Sequence, residues 1–198
     1  MQLLLVRHAQ PVASADHSDP ELSDLGTEQA LRLVEPLIRQ PIARLVSSPQ
    51  RRAIQTGTPL AEAVGAEIAI DERLAEYDRD FTGYVPFEDI NGADSPEYQR
   101  ILNGDLPSAV DAAAFLGRVT AAATDIVEEA DHRDTVVVFA HGGVINGLLH
   151  EVIGTRKPLA FALEYCSITS LLYSRTGRIA VTGVNAVEHV RDLLPRYR

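Results

Sequence analysis

The stretch Leu3-Leu4-Leu5-Val6-Arg7-His8 places four apolar residues directly before two basic ones. A short apolar run of this kind, bounded by polar residues, is typical of a strand buried on both faces of a sheet. Similar runs occur at residues 42–46 and 135–139. Helical patterns separate these runs, and the alternation predicts an α/β fold with a parallel sheet.

Start and stop signals mark the first two helices. Ser23 is the predicted N-cap of a helix that ends before Pro41. The predicted apolar face of that helix consists of Ala30, Leu31, Val34, Leu37 and Ile38. Ser48 and Pro49 predict the start of a second helix, with Ser48 as its cap, and Gly65 predicts its end.

The second half of the chain predicts two more helices and a hairpin. An Ala-rich helix is expected over about residues 108–130 and another over about residues 144–153. Two strands at residues 168–173 and 179–184 are separated by a short turn, which predicts a C-terminal antiparallel hairpin.

The segment of about residues 71–107 is rich in Gly, Pro, Asn and Asp, and these residues interrupt every long period. We therefore expect a loop-rich excursion with short helices. Long irregular segments in compact domains are usually functional, so this one is expected to cover a site and select its ligand. The length of 198 residues suits one domain, and residues 1–198 are predicted to form it.

The composition is that of a globular protein, with 45% hydrophobic and 23% charged residues. The net charge of −10 disfavours nucleic acid as a partner. Cys166 is the only cysteine, which excludes an internal disulfide and predicts a reducing, cytoplasmic setting. No apolar run approaches the ~20 residues of a membrane span, and the N-terminal run is too short for a signal peptide. No heptad pattern indicates an oligomeric state.

Basic residues follow three of the predicted strands. The first strand runs into Arg7 and His8, the second precedes a helix with Arg51 and Arg52, and a later one runs into His141. The carboxyl ends of parallel strands lie at one edge of a sheet, where ligands bind in a crevice. Arginine forks and helix N-termini both bind anions, so we expect a site for a phosphoryl group.

Five motifs follow one another along nearly the whole chain. They are Arg7-His8-Ala9, Leu22-Ser23-x-x-Gly26-x-x-Gln29-Ala30, Ser47-Ser48-Pro49-x-x-Arg52-Ala53-x-Gln55-Thr56, Leu74-x-Glu76 and His141-Gly142-Gly143. This set resembles the histidine phosphatase superfamily, also called phosphoglycerate mutase-like. The resemblance implies a three-layer αβα sandwich whose mostly parallel sheet ends in an antiparallel hairpin. It also implies hydrolysis of a small-molecule phosphomonoester through a phosphohistidine, with no metal or other cofactor.

Carried over residue by residue, the resemblance assigns a role to each motif. His8 would be the nucleophile that takes up the phosphoryl group. The phosphoryl oxygens would be bound by Arg7, Arg52 and a protonated His141, assisted by the backbone of Gly142. Attack requires a neutral imidazole held in one tautomer, and cationic groups counter the charge of the transition state.

Glu76 would be the proton donor and acceptor, but the residues alone leave alternatives open. Asp78 and Asp80 lie in the same segment and carry the same chemistry. Ala9 stands where many family members have glycine, and Asn146 and Tyr165 stand where many phosphatase relatives have Arg and Asn. Contacts on the substrate side are therefore expected to differ.

The sequence is compatible with two other functions. A phosphoglycerate mutase is the alternative activity, although the chain lacks the Gly-Glu-Ser-Leu stretch of mutases before its long helix. A phospho-ligand-binding module without turnover is the other, although no catalytic motif is missing. Cys166 is predicted to be a small buried apolar residue. Surface or structural roles are predicted for the other histidines, His17, His132, His150 and His189.

Overall fold

In the computed structural model, which describes residues 1–16, 18–84 and 95–194, six strands form one sheet. They are β1 (Gln2–Arg7), β2 (Ile42–Ser47), β3 (Ile68–Ile70), β4 (Thr135–Ala140), β5 (Ile168–Tyr173) and β6 (Ile179–Ala186). Their order across the sheet is β3-β2-β4-β1-β5-β6. The first four strands in this order are parallel, whereas β5 is antiparallel to both β1 and β6. The mostly parallel sheet with a C-terminal antiparallel hairpin is thus confirmed.

The described residues also form α-helices on both sides of the sheet. The helices are α1 (Asp24–Arg32), α2 (Val34–Ile38), α3 (Arg51–Val64), α4 (Pro96–Leu102), α5 (Ala112–Glu128) and α6 (Gly142–Ile153). Short 3₁₀ helices lie at Glu72–Leu74 and Arg191–Leu193. Helices α1, α2 and α3 pack together on one face, and α5 packs with α6 on the other. The three-layer αβα arrangement is confirmed.

Strand β1 shows why the layers form. Leu3 and Leu5 are buried against the α5–α6 layer, while Leu4 and Val6 are buried against the α1–α3 layer. Successive side chains of a strand point to opposite faces, so a strand covered on both sides must be apolar throughout. Burying each such side chain contributes about 1.5–3 kcal/mol. This burial fixes β1 at the centre of the molecule and with it the position of the residues that follow.

The predicted helix after Ser23 is two helices. Ser23 does cap α1, because its side chain accepts a hydrogen bond from the Gly26 backbone N–H. The helix then breaks at Leu33, which is fully buried between α1 and α2. Of the apolar residues at helical spacing, Leu31 and Ile38 are 57% and 47% exposed.

The prediction that Ser48 caps the next helix was also wrong. Helix α3 begins at Arg51 with Gln50 as its N-cap, and no side chain caps it. The Ser48 hydroxyl instead lies 2.7 Å from Nε2 of His141, so a tertiary contact has taken the place of the local one. Gly65 ends the helix as predicted, in the left-handed conformation with φ of 67°.

Other boundaries differ by a few residues. Asp111 caps α5 by accepting the Ala114 N–H, so this helix begins later than the predicted residue 108. Helix α6 begins at Gly142 instead of residue 144. Strand β3 was not predicted. Within the described part of the excursion, the 3₁₀ helix and α4 are the expected short helices. Residues 85–94, which belong to the predicted covering loop, lie outside the described residues.

None of the helices in the described ranges has the length and apolar character needed to cross a membrane. The organisation of residues 1–198 as one domain stays a prediction.

Candidate active site

The basic residues that follow the parallel strands come together at one edge of the sheet. β2, β4 and β1 are neighbours and run in the same direction, so their carboxyl ends coincide. The His8 backbone N–H donates to the Ala140 carbonyl at 2.9 Å. The rings of His8 and His141 have centroids 5.1 Å apart. Arg7 ends β1, and Arg52 lies in the first turn of α3. The predicted convergence is therefore present.

His8 is held as a neutral imidazole. Its ring is buried, and Nδ1 lies 2.8 Å from the carbonyl oxygen of Ala9. A carbonyl only accepts, so Nδ1 carries the proton and the lone pair lies on Nε2. Burial, and then the charges of Arg52 and Arg7, hold the pKa of His8 well below its ordinary value of 6.5. Nε2 thus has the character of a nucleophile.

Arg7 is fixed against the chain that precedes β5. Its Nη1 donates to the carbonyl oxygen of Leu163. The guanidinium carbon lies 4.1 Å from the centroid of the Tyr165 ring, in cation–π geometry. The same ring lies 5.7 Å from the His8 ring. Tyr165, one of the departures from the family pattern, thus packs against both residues.

Arg52 is fully buried. Nη1 donates to the carbonyl oxygen of Ser18 at 2.8 Å, and Nη2 lies 2.9 Å from both carboxylate oxygens of Asp78. Within the described residues, its buried Nε has no hydrogen-bond partner. The preceding Arg51 has a side chain that is 52% exposed and pairs with Glu21, so it lies on the helix surface, away from these contacts.

His141 is buried at the N-terminus of α6. Its Nε2 lies 2.7 Å from the Ser48 hydroxyl, which also accepts the Gln50 N–H at 3.3 Å. The Ser48 proton can therefore be donated to Nε2, which leaves the imidazole proton on Nδ1. Nδ1 is buried and, in the described part of the chain, has no partner.

Burial, followed by the charge of Arg52, holds the pKa of His141 well below 6.5. The protonated His141 implied by the resemblance concerns the ring beside a phosphoryl group, and it stays a prediction. A doubly charged phosphoryl group beside the ring would favour protonation, since a nearby opposite charge stabilises the charged form.

The carboxyl group of Glu76 points to the start of α6. Oε1 accepts the Tyr77 N–H at 3.0 Å, and Oε2 accepts the Gly143 N–H at 2.7 Å. Burial, and next the negative charge of Asp78, raise the pKa of Glu76 to about 7. Asp78 is occupied by Arg52, and the side chain of Asp80 is 92% exposed. The geometry favours Glu76 over both alternatives as the group that exchanges protons near neutral pH.

Sequence reasoning missed several residues of this site. A Cβ on Gly143 would lie 2.3 Å from Oε1 of Glu76, so any larger residue there would displace the carboxyl group. Gln50 bonds both the Glu76 backbone and Asp78. Gly143 stands within a quoted motif, and its role could have been suspected, whereas nothing in the pattern marked Gln50. No contact of Gly142 in the structure tests its predicted role.

Asn146, another departure from the family pattern, has a structural role. Its Nδ2 donates to the carbonyls of Gly142 and Phe161 at 2.9 and 3.0 Å, and its Oδ1 accepts the Phe161 N–H at 2.8 Å. The amide thereby ties α6 to the segment before β5. An arginine at this position would offer a charge to the substrate, whereas the Asn146 amide is hydrogen-bonded to backbone groups.

The remaining predicted residues lie away from this chemistry. Cys166 is fully buried, as predicted, and burial raises the pKa of its thiol. His189 bonds the Cys166 carbonyl, His150 bonds Thr155 and His132 contacts Arg175. His17 lies outside the described residues. Over residues 1–16, 18–84 and 95–194, no group of three or more His, Cys, Asp or Glu side chains could hold a metal ion.

Comparison with known proteins agrees with this geometry. The sequence model of the histidine phosphatase superfamily (branch 1) matches residues 3–186. The chain belongs to this superfamily. The match includes every motif on which the resemblance was based.

Similar proteins carry the names of several different activities. A mycobacterial glucosyl-3-phosphoglycerate phosphatase has a TM-score of 0.77 at 27% identity, covering 93% of this chain and 98% of its own. A protein from Hydrogenobacter thermophilus named "Putative phosphoserine phosphatase 2" is 27% identical over 203 residues, covering 97% of this chain and 98% of its own. A probable phosphoglycerate mutase from Yersinia enterocolitica is 25% identical over 190 residues, covering 91% and 88% respectively.

Proposed function

We propose that this histidine phosphatase is a phosphomonoester hydrolase of the acid type, acting on a small phosphorylated substrate through a phosphohistidine at His8. The observation that carries the proposal is the neutral, buried His8 ring, whose proton is held on Nδ1 by the Ala9 carbonyl. Nε2 carries the lone pair that would attack phosphorus. Arg7, Arg52 and His141 lie around the ring.

In the first step, the lone pair of His8 Nε2 forms a bond to phosphorus while the bond from phosphorus to the ester oxygen breaks. Glu76, protonated below about pH 7, gives its proton to the departing oxygen, so the alcohol leaves neutral. Nε of Arg52 and Nδ1 of His141 are buried donors without a partner among the described residues, and both are suited to phosphoryl oxygens.

In the second step, the ionised Glu76 takes a proton from water, and the water oxygen attacks the phosphohistidine. The bond between nitrogen and phosphorus breaks, its electron pair returns to Nε2, and inorganic phosphate leaves. In this scheme Glu76 transfers each proton, and side chains of the protein contact the phosphoryl oxygens, so we propose that it proceeds without a metal or other cofactor.

Two pKa shifts support the acid-type assignment. His8 must be neutral, and its lowered pKa permits this in mildly acidic solution. Glu76 must be protonated for the first step, and its pKa of about 7 permits this up to neutrality. The active window therefore extends from mildly acidic to neutral pH.

The burial of the site and the names of the relatives support a small substrate. His8, Arg52 and His141 are almost inaccessible to solvent, so a slim phosphoryl group on a small molecule suits the site better than one on a protein. The relatives named as phosphatases are named for glucosyl-3-phosphoglycerate and for phosphoserine. Phosphorylated metabolites of that size are the first class to test.

The experiment is a panel of small phosphomonoesters assayed in the presence of a chelator, with His8→Ala as the inactive variant. His150→Ala, a change away from the site, is the matched control. We expect phosphate release by the parent and control proteins, and an acid-labile, alkali-stable phosphoenzyme that His8→Ala lacks. Binding of phosphate without turnover by the parent protein would overturn the proposal and favour a binding module.

A phosphoglycerate mutase is the second candidate because the Yersinia relative carries that name. Labelled 3-phosphoglycerate distinguishes the two. Release of inorganic phosphate faster than formation of 2-phosphoglycerate is expected for a phosphatase, and the reverse order would identify a mutase.

A further inference from the structure

Gln50 and Asp78 connect two parts of the site through hydrogen bonds. Gln50 Oε1 accepts the Glu76 N–H at 2.7 Å, and its Nε2 donates to Oδ1 of Asp78 at 3.0 Å. Both carboxylate oxygens of Asp78 accept from Nη2 of Arg52 at 2.9 Å. A continuous series of contacts therefore runs from Glu76 through Gln50 and Asp78 to Arg52.

We propose that Gln50 and Asp78 are positioning residues that hold the proton donor Glu76 and the phosphoryl-binding Arg52 as one rigid unit. The inference rests on the proposed function, because it takes the roles of Glu76 and Arg52 from it. Gln50, Glu76 and Arg52 are all buried. Hydrogen bonds to charged groups are stronger in such surroundings than in water, and a buried partner left alone is costly.

The helix geometry explains why this unit is rigid. Gln50 and Arg52 both stand at the start of α3, whereas Glu76 and Asp78 belong to the irregular segment after the 3₁₀ helix. Irregular segments are usually more mobile than the elements they connect. Gln50 contacts Glu76, and Arg52 contacts Asp78. These two contacts from the start of one helix fix the segment that carries the proton donor.

Asp78 also controls the electrostatic surroundings of Glu76. After burial, its negative charge is the main cause of the raised pKa of Glu76, whereas Arg52 lowers that pKa. The ion pair between Asp78 and Arg52 limits the second effect. Among the described residues, other charged or titratable groups also lie around this segment. They include Tyr77, Arg79 and Asp80 on the segment itself, Asp19 and Tyr84 near it, Arg118 on α5, Arg7 at the end of β1 and His141 at the start of α6.

The first test changes the charge of Asp78 with little change in shape. In Asp78→Asn, the titration of the Glu76 carboxyl carbon, followed by NMR and assigned with Glu76→Gln, should move down by about one pH unit or more. The high-pH limb of the rate profile should move with it. Asp80→Asn removes the same charge from an exposed side chain and should move neither. Identical titrations in the two variants would overturn the role of Asp78.

The second test breaks the contacts of Gln50. Gln50→Leu should lower kcat more for an alkyl phosphate than for p-nitrophenyl phosphate, whose leaving group needs little help from Glu76. Gln55→Leu is the matched control, because Gln55 lies on the same helix and bonds the Leu22 N–H instead. An equal loss for both substrates would overturn the role of Gln50, and this readout stands even if Asp78→Asn does not fold.

The double variant tests whether the two residues act together. Since both changes break one connected unit, Gln50→Leu with Asp78→Asn should lose no more activity than the poorer single variant. A loss equal to the product of the single losses would overturn the unit. If the parent protein released no phosphate from any ester, the proposed function would fail, but the NMR titration would still decide whether Asp78 controls Glu76.

Discussion

Nδ1 of His8 lies 2.8 Å from the carbonyl oxygen of Ala9. The tautomer of His8, the proposed nucleophile, is therefore fixed by the backbone, one residue along the chain. The Ala9 peptide is held in turn, because its N–H donates to Oγ1 of Thr56 at 2.9 Å. The Thr56 hydroxyl donates to the Arg52 carbonyl at 2.6 Å. Helix α3 thus fixes both the tautomer of His8 and the position of Arg52, the arginine proposed to bind the phosphoryl group.

Thr56→Val should loosen this arrangement. The change removes the acceptor of the Ala9 N–H, and an unsatisfied buried donor costs about 1–3 kcal/mol in the free energy of unfolding. Misplacement of His8 should lower kcat by up to about a hundredfold. Thr58→Val is the control, since Thr58 makes the same helical hydrogen bond but is exposed. Urea unfolding and steady-state kinetics measure both effects, and equal behaviour of the two variants would contradict the prediction.

Arg52 and Arg51 form a natural pair for testing the phosphoryl contacts. Arg52→Ala should reduce kcat by about 10²–10³-fold, the usual loss when one donor to the transition-state oxygens is removed. Arg51→Ala should change it little, because its side chain is exposed and pairs with Glu21. Initial rates on p-nitrophenyl phosphate measure the effect. Comparable losses in the two variants would show that the motif register selected the wrong arginine.

The pH dependence of the rate should be bell-shaped, with its high-pH limb near pH 7. That limb reflects Glu76, whose proton is present below its pKa of about 7 and lost as the pH rises through it. The low-pH limb reflects protonation of His8 and should lie well below 6.5. Profiles of kcat/KM against pH for an alkyl phosphate measure both limbs, because kcat/KM reports the groups of the free enzyme. Glu76→Gln should abolish the upper limb, and an unchanged limb would assign it to another group.

Gly143→Ala should lower the activity of the protein while leaving it folded. The added Cβ would lie 2.3 Å from Oε1 of Glu76, so the carboxyl group must move. We expect kcat to fall by up to about a hundredfold, because small displacements of a catalytic group carry large losses. Gly117→Ala is the control, since nothing lies within 4 Å of its added Cβ. Kinetics and circular dichroism test the pair, and full activity of Gly143→Ala would remove Glu76 from the mechanism.

The strands and the basic residues after them could be predicted because their signals are local. The runs that became β1 and β4 are apolar on both faces, and the order of the elements fixes which strand ends share an edge. Arg7, His8 and His141 were placed by that logic. Arg52 needed more than local signals, since only the motif register separates it from Arg51.

What could not be predicted depends on contacts between distant parts of the chain. Ser48 has the chemistry of a helix cap, but its hydroxyl lies against the ring of His141. The lowered pKa of His141 could not be predicted either, because it depends on burial, which no local pattern reports. The choice of Glu76 over Asp78 likewise requires the knowledge that Arg52 already binds Asp78.

The buried histidines should also make the stability of the protein depend on pH. The pKa of His8 is lowered in the folded protein, so below its ordinary value of 6.5 the unfolded chain binds a proton that the folded protein does not. Stability is therefore fully present above that value and is lost as the pH falls, by about 1.4 kcal/mol per pH unit for each such histidine.

His8→Ala removes one of these histidines and leaves His141. The free energy of unfolding of the variant should thus fall less steeply than that of the parent protein between about pH 6 and pH 5. The two slopes should differ by close to the contribution of one proton, about 1.4 kcal/mol per pH unit. The cavity left by the ring lowers stability at every pH and does not alter this slope. Glu76 titrates in both proteins, so its opposite contribution cancels in the comparison.

Urea unfolding at several pH values measures the two curves. Parallel curves would show that His8 is protonated in the folded protein, which is incompatible with a neutral nucleophile fixed by the Ala9 carbonyl.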